Sequence, residues 1–179
     1  MPGVPIVQWT TEASMALPGV DDVVIRPSLP LALAFVDARA SVDGDWLFLD
    51  TDVIVQEDVR HVFYGDFDIA VATREGTMRP HEVGSRFMAR NLYNAGVVFS
   101  RSQGFWLAAL QRAELMVGRH SWGCDQEAMN QVIKSGPYYA MILENSYNYP
   151  PFTADEDVSD KLIVHYKGKR KAWMGTFAA

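Results

Sequence analysis

An α/β fold with a mixed, mostly parallel central sheet flanked by helices is what this sequence predicts, and three observations carry the prediction. Short apolar runs alternate along the chain with longer segments of helical character. One run, Trp46-Leu47-Phe48-Leu49, is continuously apolar, the pattern of a strand covered on both faces. Acidic residues, Asp50-Thr51-Asp52, follow it at once, and the carboxyl edge of such a strand is where open α/β sheets bind ligands.

The elements follow in order. Val4 to Trp9 reads as a short strand, and Leu17-Pro18-Gly19-Val20 with Asp21-Asp22 as a turn into Val23-Val24-Ile25. A helix is expected over Leu29 to Val42, after Pro27 and Pro30, with Gly44 closing it. The strand Trp46 to Leu49, the acidic triplet and a second apolar run, Val53-Ile54-Val55, lead into a helix near Glu57 to Phe63. Phe67 to Ala72 is another strand. Arg74 to Met88, rich in Gly, Pro and charge, reads as a long loop near the site.

Asn94-Ala95-Gly96 precedes the strand Val97-Val98-Phe99. Helices are expected at about Phe105 to Val117 and Asp125 to Lys134, the second with Asp125 as candidate N-cap. Tyr138 to Leu143 is a strand, Asn145 to Phe152 an aromatic loop, and Ile163-Val164-His165 a short last strand.

With 179 residues, nearly half of them apolar, the chain has the size of one domain over 1–179, and such a domain buries roughly 70% of its unfolded surface. Its single cysteine, Cys124, allows no intrachain disulfide and points to a reducing compartment, as a core thiol. A formal charge of -6 and a pI near 5.1 argue against nucleic acid as a partner. The basic residues are uneven: Lys167, Lys169, Arg170 and Lys171 form one local site suited to an anion. No apolar stretch approaches the ~20 residues of a membrane span, and the sequence does not open on a basic region followed by an apolar run, so a cytoplasmic product is expected. A homodimer is the default assembly.

Two carboxylates one residue apart on extended backbone point to the same side, so Asp50 and Asp52 can share a cation, and hard oxygen ligands favour Mg²⁺ or Mn²⁺. In Ile163-Val164-His165-Tyr166-Lys167-Gly168-Lys169-Arg170-Lys171-Ala172-Trp173, His165 offers a nitrogen ligand. Gly168 lets backbone approach an anion, and Lys171 can pair with phosphate. Trp122 and Trp173 read as packing residues.

The blocks DWLFLDTDVIV, YNAGVVFSRS, GCDQEAMN and IVHYKGKRKAW occur in the order and approximate spacing of the glycogenin and bacterial lipopolysaccharide galactosyltransferase group of GT-A glycosyltransferases, which this chain resembles from about Pro5 onward. The resemblance implies a single GT-A-like domain. It also implies transfer, with retained anomeric configuration, from a nucleotide-diphosphate sugar, foremost a UDP-sugar, to a saccharide or other hydroxyl acceptor, with Mn²⁺ (or Mg²⁺) as cofactor. Asp50, Asp52 and His165 would be the metal ligands. Gly168 and Lys171 would fold over the diphosphate, Asn94, Ala95 and Gly96 would line the donor sugar, and Asn148 would be a further pocket residue. Asp125 and Gln126 would lie beside the reacting sugar carbon.

The chain departs from that group in places. The group's first strand and helix, which supply much of the base pocket, precede the matching region, so the resemblance implies either a domain truncated at its N-terminus or a donor site shallower than usual. The basic residue usual on the helix before the metal motif aligns with Ala34, with Arg39 nearest downstream. Ala95 stands where serine is frequent, and Ala172 replaces a common proline. Two other readings fit the same residues. One is a non-catalytic nucleotide-sugar-binding homologue. The other is a haloacid-dehalogenase-like phosphatase with Asp50 as nucleophile and Asp52 as acid/base.

Overall fold

The computed structural model describes residues 31–74, 85–116 and 123–176. The expected strands Val4 to Trp9 and Val23 to Ile25, Trp122 and most of the Arg74 to Met88 loop lie outside them.

Ten residues, Leu31–Ala40, form helix α1, and Leu33, Val36 and Ala40 share one buried face. Strand β1 (Trp46–Leu49) follows, then β2 (Val53–Val55), a 3₁₀ turn at Arg60–Tyr64 where a longer helix was expected, and β3 (Ile69–Thr73). Helix α2 (Arg86–Arg90) leads into β4 (Tyr93–Ser100). Helix α3 (Gln103–Glu114) begins two residues before the expected Phe105, because the Ser102 side chain accepts the Phe105 backbone N–H at 3.1 Å and caps it. Helix α4 (Cys124–Ser135), β5 (Ala140–Leu143), a 3₁₀ turn at Asn145–Tyr147, β6 (Ile163–His165) and a 3₁₀ segment, Gly168–Thr176, complete the order.

Four strands form one sheet in the order β1-β4-β3-β5, and β2 pairs with β6 in a second. In the larger sheet β4 is antiparallel to both β1 and β3, while β5 is parallel to β3. Three of its four strands therefore point the same way, and β4 alone is reversed. This is the mixed, mostly parallel α/β sheet that the alternating pattern predicts. Reversal of β4 puts its amino end, Tyr93 to Gly96, at the same edge as the carboxyl ends of β1, β3 and β5.

Helices α1, α3 and α4 pack together over one face of the sheet, around Val36, Phe105, Trp106 and Met129. The other face is covered by Val59, Val62 and Ile163, which pack with Phe67, Val97 and Phe99. A smaller cluster of Val158, Val164 and Tyr166, with Trp173 against it, anchors the C-terminal segment. Trp173 thus packs, as expected.

Three expectations are corrected. Trp46–Leu49 is half-buried and lies at the edge of the described sheet, whereas β3 and β4 are the covered strands, with Val71 and Val98 packed into the cluster on one face and Ala70, Val97 and Phe99 into the cluster on the other. Asn94-Ala95-Gly96 lies inside β4 instead of before it. The N-cap of α4 is Gly123, in the left-handed region at φ 76°, and Asp125 sits in the first turn with no capping bond from the cap residue's side. Cys124 is buried, as a core thiol should be.

Candidate metal centre

The Asp50-Thr51-Asp52 triplet is a turn, not extended backbone, and it is the crossing point between the two sheets. On its amino side Asp50 N–H donates to the Gly96 carbonyl at 2.8 Å, continuing the β1–β4 ladder. On its carboxyl side Val53 pairs with His165, and Tyr166 N–H donates to the Asp52 carbonyl at 2.8 Å. Backbone pairing with two different strands thus brings together residues 113 positions apart in the sequence.

The result is a cluster of Asp50, Asp52 and His165 in which one ligand atom from each lies within 4.8 Å of the others. His165 Nε2 is 3.2 Å from Asp52 Oδ1 and 3.6 Å from Asp50 Oδ2. The imidazole is 2% exposed and Asp52 7% exposed, whereas Asp50 opens to solvent. Lys171 Nζ lies 3.1 Å from Asp52 Oδ2. Hydrogen bonding to His165, together with the charges of His165 and Lys171, holds the Asp52 carboxyl down to about 2 against the opposing effect of burial.

This arrangement fits a divalent cation. Two carboxylates and an imidazole nitrogen are a hard-to-borderline donor set suited to Mn²⁺ or Mg²⁺, and the site already draws an ammonium to Asp52. The backbone leaves room only by being glycine at 96. A Cβ there would stand 2.2 Å from His165 Cε1 and 2.7 Å from Asp50 Oδ2.

The other expected residues surround the cluster. Asn94 and Asn148 are buried and hydrogen-bonded to each other, Nδ2 of Asn148 donating to Oδ1 of Asn94 at 3.1 Å. Asn148 Oδ1 is 2.9 Å from His165 Nδ1. Gly96 N–H donates to Asn94 Oδ1 at 2.9 Å, and Ala95 N–H and Asn94 Nδ2 both donate to Gln126 Oε1, at 3.3 and 3.4 Å. Gly168 adopts φ 66° at the start of the segment that carries Lys171, with nothing near a Cβ placed there. That left-handed turn is what sends the chain back over Asp52.

Asp125 is near enough to feel Asp50. Burial pushes its carboxyl above the ordinary value, the Arg39 guanidinium pulls it down, and the Asp50 charge adds to the rise. Arg39, which the sequence offered only as the basic residue nearest downstream of Ala34, borders the candidate site. It is buried in the last turn of α1, under the attraction of both Asp50 and Asp125. Its Nη2 donates to the Ala95 carbonyl at 2.9 Å, and its guanidinium lies 4.9 Å from the Trp106 ring centroid and 5.4 Å from that of Phe48. Nη1 makes no hydrogen bond among the described residues. The available signal was its i+3 spacing from the buried Val36, which turns a charged residue inward.

No protein-family model and no curated protein sequence matches this chain. Solved structures do. The glycosyltransferase GlyE of Streptococcus pneumoniae TIGR4 is similar over 85% of this chain and 45% of its own, with a TM-score of 0.55 and 21% identity. A glycosyltransferase involved in glycosylation of the major capsid of PBCV-1 is similar over 84% of this chain and 80% of its own, at TM-score 0.51 and 17% identity. An active-site glutamine-to-glutamate variant of LgtC is similar over 85% and 69%, at TM-score 0.55 and 14% identity. This chain spans less than half the length of the pneumococcal protein. The chain has a GT-A-like glycosyltransferase fold, in agreement with the resemblance. No helix among the described residues is long and apolar enough to cross a membrane.

Proposed function

We propose that this chain transfers a sugar from a nucleotide-diphosphate donor, a UDP-sugar foremost, to a saccharide or other hydroxyl acceptor, with Mn²⁺ or Mg²⁺ held by Asp50, Asp52 and His165. The observation that carries the proposal is the meeting of those three side chains with Lys171 at one sheet edge, in a fold whose solved counterparts are glycosyltransferases. When bound, the cation supplies positive charge against the donor diphosphate, whose own charge grows as its bond to the sugar breaks.

The chain's residues divide the remaining work. Lys171, with 57% of its side chain exposed, is free to turn from Asp52 to a phosphate oxygen. The left-handed Gly168 sets the path of that segment. Ala95 and Gly96 form the floor on which the donor sugar would rest, and Asp125 would orient the sugar or stabilise positive charge at its reacting carbon, with Gln126 beside it. The leaving group is stabilised by charge, so no strong general acid is required. Retention of anomeric configuration belongs to the same proposal. The phosphatase reading would leave His165 and its buried partners without a part.

The test is calorimetric titration of the chain with UDP and GDP in the presence of Mn²⁺, followed by an assay for sugar release from the matching donors. Mn²⁺-dependent binding of one diphosphate and turnover of its sugar are expected. Absence of any nucleotide binding would sink the reading, and binding without turnover would favour the non-catalytic homologue.

A further inference from the structure

We propose that Asn148 and Asn94 are positioning residues that fix the tautomer of His165 and tie it to Gln126, instead of contacts to the donor; the inference rests on the metal reading above. Three observations lead there. The first is burial. Asn94, Asn148 and His165 are all more than nine-tenths buried, so each amide spends its hydrogen bonds inside the protein.

The second is that the amide orientations are dictated by backbone. An amide's oxygen and nitrogen are exchanged by a flip, but a backbone N–H can only donate. Gly96 N–H therefore requires oxygen on the near side of Asn94. With that oxygen fixed as acceptor, the atom of Asn148 that meets it must be the NH₂. The remaining end of Asn148, its oxygen, then faces His165 Nδ1, which must carry the proton and donate it at 2.9 Å. When the ring is neutral, as a metal ligand must be, its lone pair then falls on Nε2, the atom turned toward Asp52 and Asp50. An outer partner that holds a metal histidine in the right tautomer usually accepts this one proton.

The third is continuity. Ala95 N–H fixes the oxygen of Gln126 in the same way, and that oxygen takes the second N–H of Asn94 over a longer 3.4 Å. The relay thus runs from the metal histidine through two asparagines to the first turn of α4. Its placement follows from backbone pairing. Tyr149 N–H donates to the Ile163 carbonyl and His165 N–H to the Tyr149 carbonyl, so the residue after the Asn145–Tyr147 turn lies alongside β6 and meets the histidine.

The test uses the full chain and Mn²⁺ alone, titrated by electron paramagnetic resonance against the wild type, His165→Ala, Asn148→Ala and Asn148→Asp. Asn148→Ala should weaken Mn²⁺ about 10- to 100-fold. Asn148→Asp should recover most of the loss, because a carboxylate still accepts the Nδ1 proton. It cannot donate to Asn94, so a purely structural role for Asn148 would not be rescued. Equal losses in both Asn148 variants overturn the proposal, as does wild-type Mn²⁺ affinity in Asn148→Ala. In that last case His165→Ala still weakens Mn²⁺ and the metal reading stands, whereas unchanged affinity in His165→Ala overturns both. If the Asn148 variants do not fold, nitrogen-15 NMR of the wild type titrated with Mg²⁺ decides. A protonated Nδ1 on His165 is expected, and a protonated Nε2 overturns the relay.

Discussion

Gly96 lies against His165 so closely that a single added methyl group would overlap the imidazole, 2.2 Å from Cε1 and 2.8 Å from Nδ1. The backbone of the reversed strand is in this sense a wall of the candidate metal centre. Gly96→Ala should leave the helices and sheet intact by circular dichroism, because no positive φ is required at 96. It should weaken Mn²⁺ about 10-fold or more by displacing the ring. Undiminished Mn²⁺ binding in a folded variant would show that His165 is not a ligand.

Under the proposed function, Lys171 and the cation compete for Asp52 while serving the same donor. Lys171→Ala should therefore leave the affinity for Mn²⁺ alone unchanged or tighter. The affinity for a nucleoside diphosphate with Mn²⁺ should fall by about 1 to 3 kcal/mol, the value of a charge-assisted hydrogen bond. Calorimetry on both titrations separates the two effects, and an unaltered diphosphate affinity would remove Lys171 from the donor site.

Asp125 keeps a carboxylate where burial disfavours it. A carboxyl group whose folded value is raised costs stability once pH exceeds the unfolded value of 3.8, and the full cost is present above the folded value. Asp125→Asn should thus raise the melting temperature at neutral pH, with the gain vanishing as pH falls below that unfolded value. It should spare Mn²⁺-dependent nucleotide binding and lower turnover. A variant no more stable than the wild type at neutral pH would contradict the account of its burial.

Asp52 has the opposite sign. Its folded value, about 2, lies below the ordinary 3.8, so it contributes stability above the ordinary value and loses it as pH falls toward the folded one. The metal-free chain should lose roughly 2 kcal/mol through that window. Asp52→Asn should flatten this part of the pH–stability curve and weaken Mn²⁺. Denaturant melts between those limits check the slope.

How much of this was legible in the chain depends on whether a residue's role is local. The apolar runs at Trp46 to Leu49, Val53 to Val55 and Ile163 to His165 coincide with β1, β2 and β6, because strand formation there follows from side-chain type. Coverage of β1 was misjudged for the complementary reason. An apolar run reports what a strand could bury, while its place at the edge of the described sheet depends on which partners arrive. The Asp50–Asp52 pair was found through the wrong local geometry, since the turn at Thr51, not an extended segment, places the two carboxylates.

By itself the sequence determined the chemical inventory: two carboxylates after an apolar run, a histidine ending another, and lysines beyond it. Side-chain type and strand pattern suffice for that. Only the tertiary structure decided that β4 runs backward, so that Gly96, Asn94 and Asp50 share an edge, and that β6 pairs with β2, so that His165 reaches Asp52. Those are choices of partner between distant segments, set by backbone hydrogen bonding and core packing. The spacing from Val36 can turn Arg39 inward, but no local pattern records that Arg39 and Asn148 would face the same group of charges.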